Sequence, residues 1–166
     1  KWLADPAEEP EPFGDGGTKM AWNTFNVVSI YPNGNPVMSD VNQRWVGDCC
    51  ACAVIASMAY LYPRFVKHII KDNMDKTYTV TMYDPKGKQI SVGVGGDYFI
   101  GNSGDLGALG GRNKEVTWAT ILEKAMIKWN QIYQGSSNVG GIGTEYVSAI
   151  FTGDGESVGF GANALI

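Results

Sequence analysis

The segment that most constrains the fold is a short glycine-containing loop that leads directly into a helix of small residues. Residues 43–48 read QRWVGD, and residues 49–60 read CCACAVIASMAY, without glycine or proline and rich in alanine. Asp48 is placed to act as the N-cap of this predicted helix. Because this helix carries small side chains on almost every face, we expect it to lie at the centre of the fold, where neighbouring segments approach closely.

The first residue of this helix is a cysteine. At a helix N-terminus, unpaired backbone N–H groups and the positive end of the helix dipole favour the thiolate, the reactive form of cysteine. Cys49 is therefore a candidate nucleophile. Gln43, six residues earlier, is a candidate donor to an oxyanion beside the sulfur. The alternative is that Cys49, Cys50 and Cys52 are all packing residues in a buried helix.

The cysteines do not suggest a disulfide framework or a zinc site. Three cysteines lie within four positions, an odd and tightly clustered set. The only histidine, His68, is far along the sequence, and Cys-X-Cys lacks the usual structural-zinc spacing.

Length and charge exclude several classes of protein. The 166 residues fit one domain, or one large lobe and a fragment of the next. The net charge of −4 with no basic run indicates no nucleic-acid or anionic-membrane partner. No apolar stretch approaches the ~20 residues of a membrane span. No signal peptide is recognisable, which leaves two locations open: secreted or in the cell envelope after removal of a signal, or cytoplasmic.

Periodicity predicts the remaining elements. Residues 1–20, rich in Pro, Glu, Asp and Gly, form an extended lead-in. Pro63 opens a second helix that reaches about residue 71. Residues 77–83 and 89–94 form a β-hairpin. Residues 118–133 form an amphipathic helix, with Glu123, Lys124 and Lys128 on its solvated face. Residues 145–151 form a short helix.

Several of these motifs together resemble the calpain family of papain-like thiol proteases. Residues 43–49, QRWVGDC, resemble the family pattern Gln-X-X-X-Gly-Asp-Cys-Trp. Residues 91–99, SVGVGGDYF, look like its strand into an Asp-Asp turn, and residues 118–125, WATILEKA, are similar to its Trp-X-X-Leu-Leu-Glu-Lys-Ala helix. The Gly140-Gly141 pair and residues 151–153, FTG, match the segments that close the first catalytic lobe. The matches follow the family's order over residues 40–153.

This resemblance implies an α+β, papain-like fold, mainly the helical Cys-bearing lobe with a small β-hairpin. The first catalytic lobe would cover residues 21–153, and residues 154–166 would form a hinge and the start of the second lobe. The resemblance implies that Cys49 is the nucleophile of a peptide-bond hydrolase. Gln43 and the Cys49 backbone N–H would form the oxyanion hole. Gly140 and Gly141 would pair with the backbone of a peptide substrate.

The resemblance also implies a calcium site and bears on the role of Trp45. Calpains bind calcium in this lobe; Asp40 matches one carboxylate ligand, and Glu115 is displaced by about one residue from the other. Trp45 precedes the nucleophile and either lines the cleft or packs in the core.

The sequence departs from the family in two places. Cys50 stands where the family has Trp. Papain-like enzymes carry the general-base His and its Asn about 130–150 residues after the Cys, which here falls beyond Ile166. The partner is therefore expected to be a second lobe, on a separate chain or segment, that carries His and Asn. The chain is one piece of a protease cleaved near its lobe junction, a truncated protease, or a half-domain that no longer catalyses. The rival function is a catalytically inactive peptide-binding or interaction module.

Overall fold

Helices and two small antiparallel sheets form a mixed architecture. The computed structural model describes residues 21–101 and 104–154, and this part of the chain holds four α-helices and five strands. In chain order, the elements are β1 (Ala21–Thr24), a 3-10 turn (Met38–Asp40), α1 (Cys49–Leu61), α2 (Pro63–Ile69), β2 (Ile70–Asp72), β3 (Tyr78–Tyr83), β4 (Gln89–Val94), β5 (Asp97–Ile100), α3 (Trp118–Gln134) and α4 (Thr144–Thr152).

The predicted hairpin is confirmed. Strands β3 and β4 pair antiparallel, with Thr81 opposite Ser91, and β2 adds a third antiparallel strand on the other side of β3. Alternate β3 side chains, Tyr78, Val80 and Met82, are buried, as a half-buried strand requires. A separate two-stranded sheet joins β1 to β5.

The two helices that follow the loop are also confirmed, but α2 is shorter than expected. The expectation that α1 is enclosed at the centre of the fold is wrong, because only one face of it is buried, formed by Ala51, Ile55, Met58 and Ala59. Helix α1 begins at Cys49, and α2 begins with Pro63 in its first turn. Helix α2 ends at Ile69 rather than near residue 71, because Ile70–Asp72 is drawn into the sheet beside β3. Pairing with a strand distant in sequence therefore overrides the local helical preference of these residues.

Helix α3 occupies the centre of the fold, and the prediction of a solvated face on it is wrong. Every residue from 118 to 130 is buried, including Glu123, Lys124 and Lys128. The ammonium group of Lys128 donates to the carbonyl oxygen of Gly93 at 3.0 Å. That of Lys124 donates to the carbonyl oxygen of Asp97 and lies 4.5 Å from the ring centre of Trp22. Burial is tolerated because backbone carbonyls and aromatic rings replace water around the charges.

Helix α4 matches the predicted short helix and packs against both α1 and β3. The predicted lead-in, residues 1–20, lies outside the described residues, as does the predicted hinge beyond residue 154. Among the described residues, no single helix is both long and apolar enough to cross a bilayer; α1 and α2 pass such a test only as a pair, bent by 112°.

Candidate active site

The loop that precedes Cys49 is held in place by a second loop, residues 107–111. The backbones of Asn42 and Gly110 exchange two hydrogen bonds, with N···O distances of 3.0 and 3.3 Å. The N–H of Trp45 donates to the carbonyl oxygen of Gly107 at 3.1 Å. The guanidinium of Arg44 donates to the carbonyl oxygen of Gly111 at 2.6 Å. These bonds position the start of α1 relative to the rest of the fold.

Cys49 is the first residue of α1, and its side chain is exposed. The local structure therefore matches the expectation of a thiol at a helix N-terminus, where backbone N–H groups lack partners within the helix. Asp48 occupies the predicted N-cap position, but its side chain makes no capping hydrogen bond. Its carboxyl group is instead directed into the protein, where it is 1% exposed.

The other two cysteines differ from Cys49 in their surroundings. Cys50 is partly exposed and lies in hydrogen-bonding contact with Cys49; burial and the neighbouring Cys49 raise the pKa of the Cys50 thiol. Cys52 is more deeply placed, and its sulfur donates to Oδ1 of Asp48 at 3.5 Å. Burial, followed by the charge of Asp48, raises the pKa of the Cys52 thiol. Cys49 is thus the exposed member of a cluster whose other members are held protonated.

A pair of buried carboxyl groups lies beneath the start of α1. Glu123 of α3 is 1% exposed, and its Oε2 accepts from the N–H of Leu109 at 2.8 Å. Its carboxyl group is in hydrogen-bonding contact with that of Asp48, and burial and the Asp48 charge raise the pKa of Glu123 well above its usual range. Burial also raises the pKa of Asp48. Since two carboxylates cannot donate to each other, a hydrogen bond between them requires a proton, and the raised pKa of Glu123 favours its carboxyl group as the protonated one.

The predicted oxyanion donor lies within the same loop. Gln43 is exposed, and its side-chain amide donates to the carbonyl oxygen of Val46 at 2.9 Å. Trp45 is 45% exposed and packs against Gly101, where an added Cβ would come within 2.6 Å of the indole nitrogen. A glycine at position 101 therefore leaves the space that the Trp45 ring occupies.

The predicted substrate-binding glycines lie beside the loop that leads to Cys49. The N–H of Gly141 donates to the carbonyl oxygen of Gly47 at 3.3 Å. Gly141 has a φ of 74°, a conformation that favours glycine. Both Gly140 and Gly141 line a surface depression that also includes Asn138 and Tyr146. The structure thus brings the glycine pair and the nucleophile loop together.

The two predicted calcium ligands are in different situations. The carboxylate of Asp40 is buried and accepts three hydrogen bonds, from the Asn33 amide at 2.9 Å, the Val37 N–H at 3.2 Å and the Trp118 indole at 2.7 Å. Glu115 has a buried Oε2 with no hydrogen-bond partner. Within the described ranges, no group of three or more His, Cys, Asp or Glu residues is placed to hold a metal ion.

His68 lies exposed in the last turn of α2, away from the start of α1. The residues that sequence analysis missed are Asp48 as a buried acid, its partner Glu123, and Cys52 beside them. The spacing of the apolar residues gave no signal for Glu123, because the helical periodicity placed it on the predicted solvent-exposed face. The position of Asp48 directly before the helix was a signal, but it indicated a cap.

Comparison with known proteins identifies the family. No curated protein matches the chain at a significant level. A family model does match: that of the calpain family cysteine proteases covers residues 22–158, which include Cys49 and every other predicted site residue. The match extends over most of the chain and agrees with an exposed cysteine at the start of a helix. The chain therefore belongs to the calpain family of cysteine proteases.

Proposed function

We propose that the protein is the nucleophile-bearing half of a thiol endopeptidase with a papain-like fold. The observation that carries the proposal is the exposed Cys49 thiol at the first residue of α1, in a chain of a cysteine protease family. The Cys49 sulfur would attack the carbonyl carbon of a peptide bond and form a thioester, which water then hydrolyses.

The oxyanion of the tetrahedral intermediate would accept hydrogen bonds from the Cys49 backbone N–H and the Gln43 side chain. The Gln43 amide is bonded to the carbonyl oxygen of Val46 at 2.9 Å, so its second N–H is the one available to the oxyanion. The peptide backbone of the substrate would lie along Gly140 and Gly141, which adjoin the nucleophile loop through Gly47.

The general base and its orienting residue would come from a second lobe. The sequence has one histidine, and His68 lies on α2 rather than at Cys49. A surface suited to a second lobe continues from Cys49 along α1: Ala53 and Ser57 are exposed on it, and Tyr60 and Leu61 are 73% and 58% exposed at its end. Exposed large apolar side chains such as these two are typical of an interaction site.

The test is alkylation of the assembled protease by a thiol-directed peptide epoxide, with sites identified by mass spectrometry. We expect Cys49 to be labelled much faster than Cys52, and Cys49→Ser to abolish the rapid labelling. Cys50→Ser is the matched control, because it changes a neighbouring thiol and leaves the nucleophile. Labelling of Cys49 no faster than of Cys52 would contradict the protease proposal.

The alternative is a calpain-like peptide-binding module without catalysis. The depression beside Gly140 and Gly141 supports it, because such a groove can hold a peptide without a histidine nearby. A module of this kind would bind peptides with equal affinity after Cys49→Ala and would show no hydrolysis when the second lobe is supplied.

Calcium remains a separate proposal, and no catalytic step is assigned to it. Asp40 and Glu115 do not form a prepared site, because the Asp40 carboxylate is already satisfied by Asn33, Val37 and Trp118. Of these two carboxyl groups, Glu115 is the one whose buried Oε2 lacks a partner and so favours a bound cation. If a chelator leaves both the labelling rate and the melting temperature unchanged, calcium has no role here.

A further inference from the structure

The first turn of α1 contains two cysteines with the Cys-X-X-Cys spacing of a redox-active thiol pair. Cys49 and Cys52 are both free and lie three residues apart in the helix. A rise of 1.5 Å per residue on a radius of 2.3 Å places their Cα atoms about 5 Å apart. That separation lies within the range of roughly 4.4–6.8 Å that a disulfide spans. Cys49 and Cys50, as adjacent residues, are only about 3.8 Å apart, which is too close.

The two thiols are arranged unequally. Cys49 is exposed at the helix start, where an oxidant can reach it. Cys52 is partly buried one turn deeper, and it lies close enough for the charge of Cys49 to act on it. An exposed thiol with a more protected thiol beside it is the usual arrangement of an attacking and a resolving cysteine.

Cys52 also has a proton acceptor. Its sulfur is 3.5 Å from Oδ1 of Asp48, a side chain that is 1% exposed. The other oxygen of Asp48, Oδ2, is buried and receives no hydrogen bond from an N–H or hydroxyl group. Glu123 faces Asp48 from α3, and its carboxyl group is itself fixed by the N–H of Leu109. Asp48 thus presents a carboxyl oxygen directly beside the Cys52 thiol.

These contacts have no role in the proposed peptidase chemistry, which uses Cys49, Gln43 and a second lobe. We propose that Cys49 and Cys52 form a reversible disulfide that inactivates and protects the nucleophile during exposure to peroxide, with Asp48 accepting the proton of Cys52. The regulatory part of this inference rests on the proposed function of Cys49 as the nucleophile. The redox chemistry itself does not require a substrate or a second lobe.

The reaction balances in two steps. The Cys49 thiolate attacks one oxygen of hydrogen peroxide, the O–O bond breaks, and Cys49 becomes a sulfenic acid as hydroxide leaves. Cys52 then gives its proton to Asp48, and its sulfur attacks the Cys49 sulfur. The S–S bond forms, the S–O bond breaks, and the hydroxide that leaves takes the proton from Asp48 to become water. The hydroxide of the first step takes up the proton that Cys49 lost on becoming a thiolate, which gives the second water. Overall, two thiols and one peroxide give one disulfide and two waters, and an external dithiol reverses the change.

The experiment treats the full chain with a slight excess of hydrogen peroxide, blocks remaining thiols with iodoacetamide, and maps the cysteines by mass spectrometry. In the wild type, we expect the free thiols to fall from three to one, with Cys49 joined to Cys52 and Cys50 alkylated. Dithiothreitol should restore all three. Cys50→Ser is the matched control and should form the same bridge.

Cys52→Ser should lose the protection. Without a resolving thiol, Cys49 proceeds to the sulfinic acid, and we expect dithiothreitol-recoverable Cys49 to fall by about tenfold, since that oxidation state is not reversed by thiols. Cys52→Ala serves as a second variant if the serine disturbs folding. A Cys49–Cys50 bridge, the absence of any intrachain bridge in the wild type, or equal recovery in wild type and Cys52→Ser would overturn the proposal. Because the readout is mass, these outcomes are independent of peptidase activity, which the epoxide labelling tests separately.

Discussion

The indole nitrogen of Trp118 donates a 2.7 Å hydrogen bond to Oδ2 of Asp40, joining residues 78 positions apart. Asp40 ends the 3-10 turn that leads into the nucleophile loop, and Trp118 is the first residue of the buried central helix. The Thr117 hydroxyl adds a second link by donating to the carbonyl oxygen of Asp40 at 3.2 Å. The loop that carries Gln43 and Cys49 is therefore anchored to the start of α3.

The first prediction concerns this anchor. We expect Trp118→Phe to lower the free energy of unfolding by about 2 kcal/mol, because a hydrogen bond to a buried carboxylate is lost. Urea denaturation measures the change. Trp129→Phe is the matched control, since the Trp129 indole donates at 2.7 Å to a neutral acceptor, the carbonyl oxygen of Tyr83. Equal losses in the two variants would show that the Asp40 charge adds nothing to the anchor.

The second prediction concerns the pH dependence of stability. The folded protein raises the pKa of Glu123, mainly through burial, so the folded state binds a proton that the unfolded state releases. This contribution to stability is complete below the ordinary glutamate pKa of about 4.3 and is lost as the pH rises toward the folded value. The slope reaches at most about 1.4 kcal/mol per pH unit.

Glu123→Gln should reduce that slope, and the remainder would come from Asp48, whose pKa burial also raises. The neutral amide can accept from the Leu109 N–H and donate to Asp48 at every pH, as protonated Glu123 does. Melting temperatures measured from pH 4 to pH 9 compare the variant with wild type and with Glu145→Gln, a control at the partly exposed start of α4. If the pH dependence of the melting temperature were as steep in Glu123→Gln as in wild type, the interpretation of a proton shared by Glu123 and Asp48 would be wrong.

The third prediction removes the same carboxyl group completely. Glu123→Ala leaves the buried Leu109 N–H without its acceptor and opens a cavity, and we expect a loss of about 3 kcal/mol in unfolding free energy. Chemical denaturation at pH 5 checks the value. Glu123→Gln should recover most of the loss, and a failure to do so would mean that shape, rather than hydrogen bonding, determines the contribution of Glu123.

The fourth prediction concerns Gln43. With the second lobe present, Gln43→Ala should reduce kcat for peptide hydrolysis by about 10²–10³-fold, the usual effect of removing an oxyanion donor. The melting temperature should change little, because the Gln43 side chain is exposed and makes a single hydrogen bond within its own loop. A large drop in melting temperature together with kcat would assign Gln43 to loop structure instead.

The local pattern was sufficient for several elements. Alternation of β-forming residues defined the β3–β4 hairpin, and an uninterrupted run of small residues defined α1, because the backbone requirements of both are met by neighbours in sequence. The position of Cys49 at a helix start followed from the same pattern. The family resemblance was carried by short motifs in fixed order and is confirmed by the match over residues 22–158.

What only the tertiary structure decided was which polar groups are buried and with what they pair. Lys124 and Lys128 have the helical spacing of a solvated face, yet carbonyl groups of distant segments enclose them. Asp48 has the sequence position of a cap, yet it turns inward to meet Glu123 and Cys52, the first 75 residues away in sequence and the second in the next turn. Hydrophobic periodicity identifies only the apolar face of a helix, whereas the burial of its other faces depends on every segment that packs around it. The sequence alone therefore determined the helix that presents Cys49, while the buried acids and thiol behind it depended on the packing of α3 against α1.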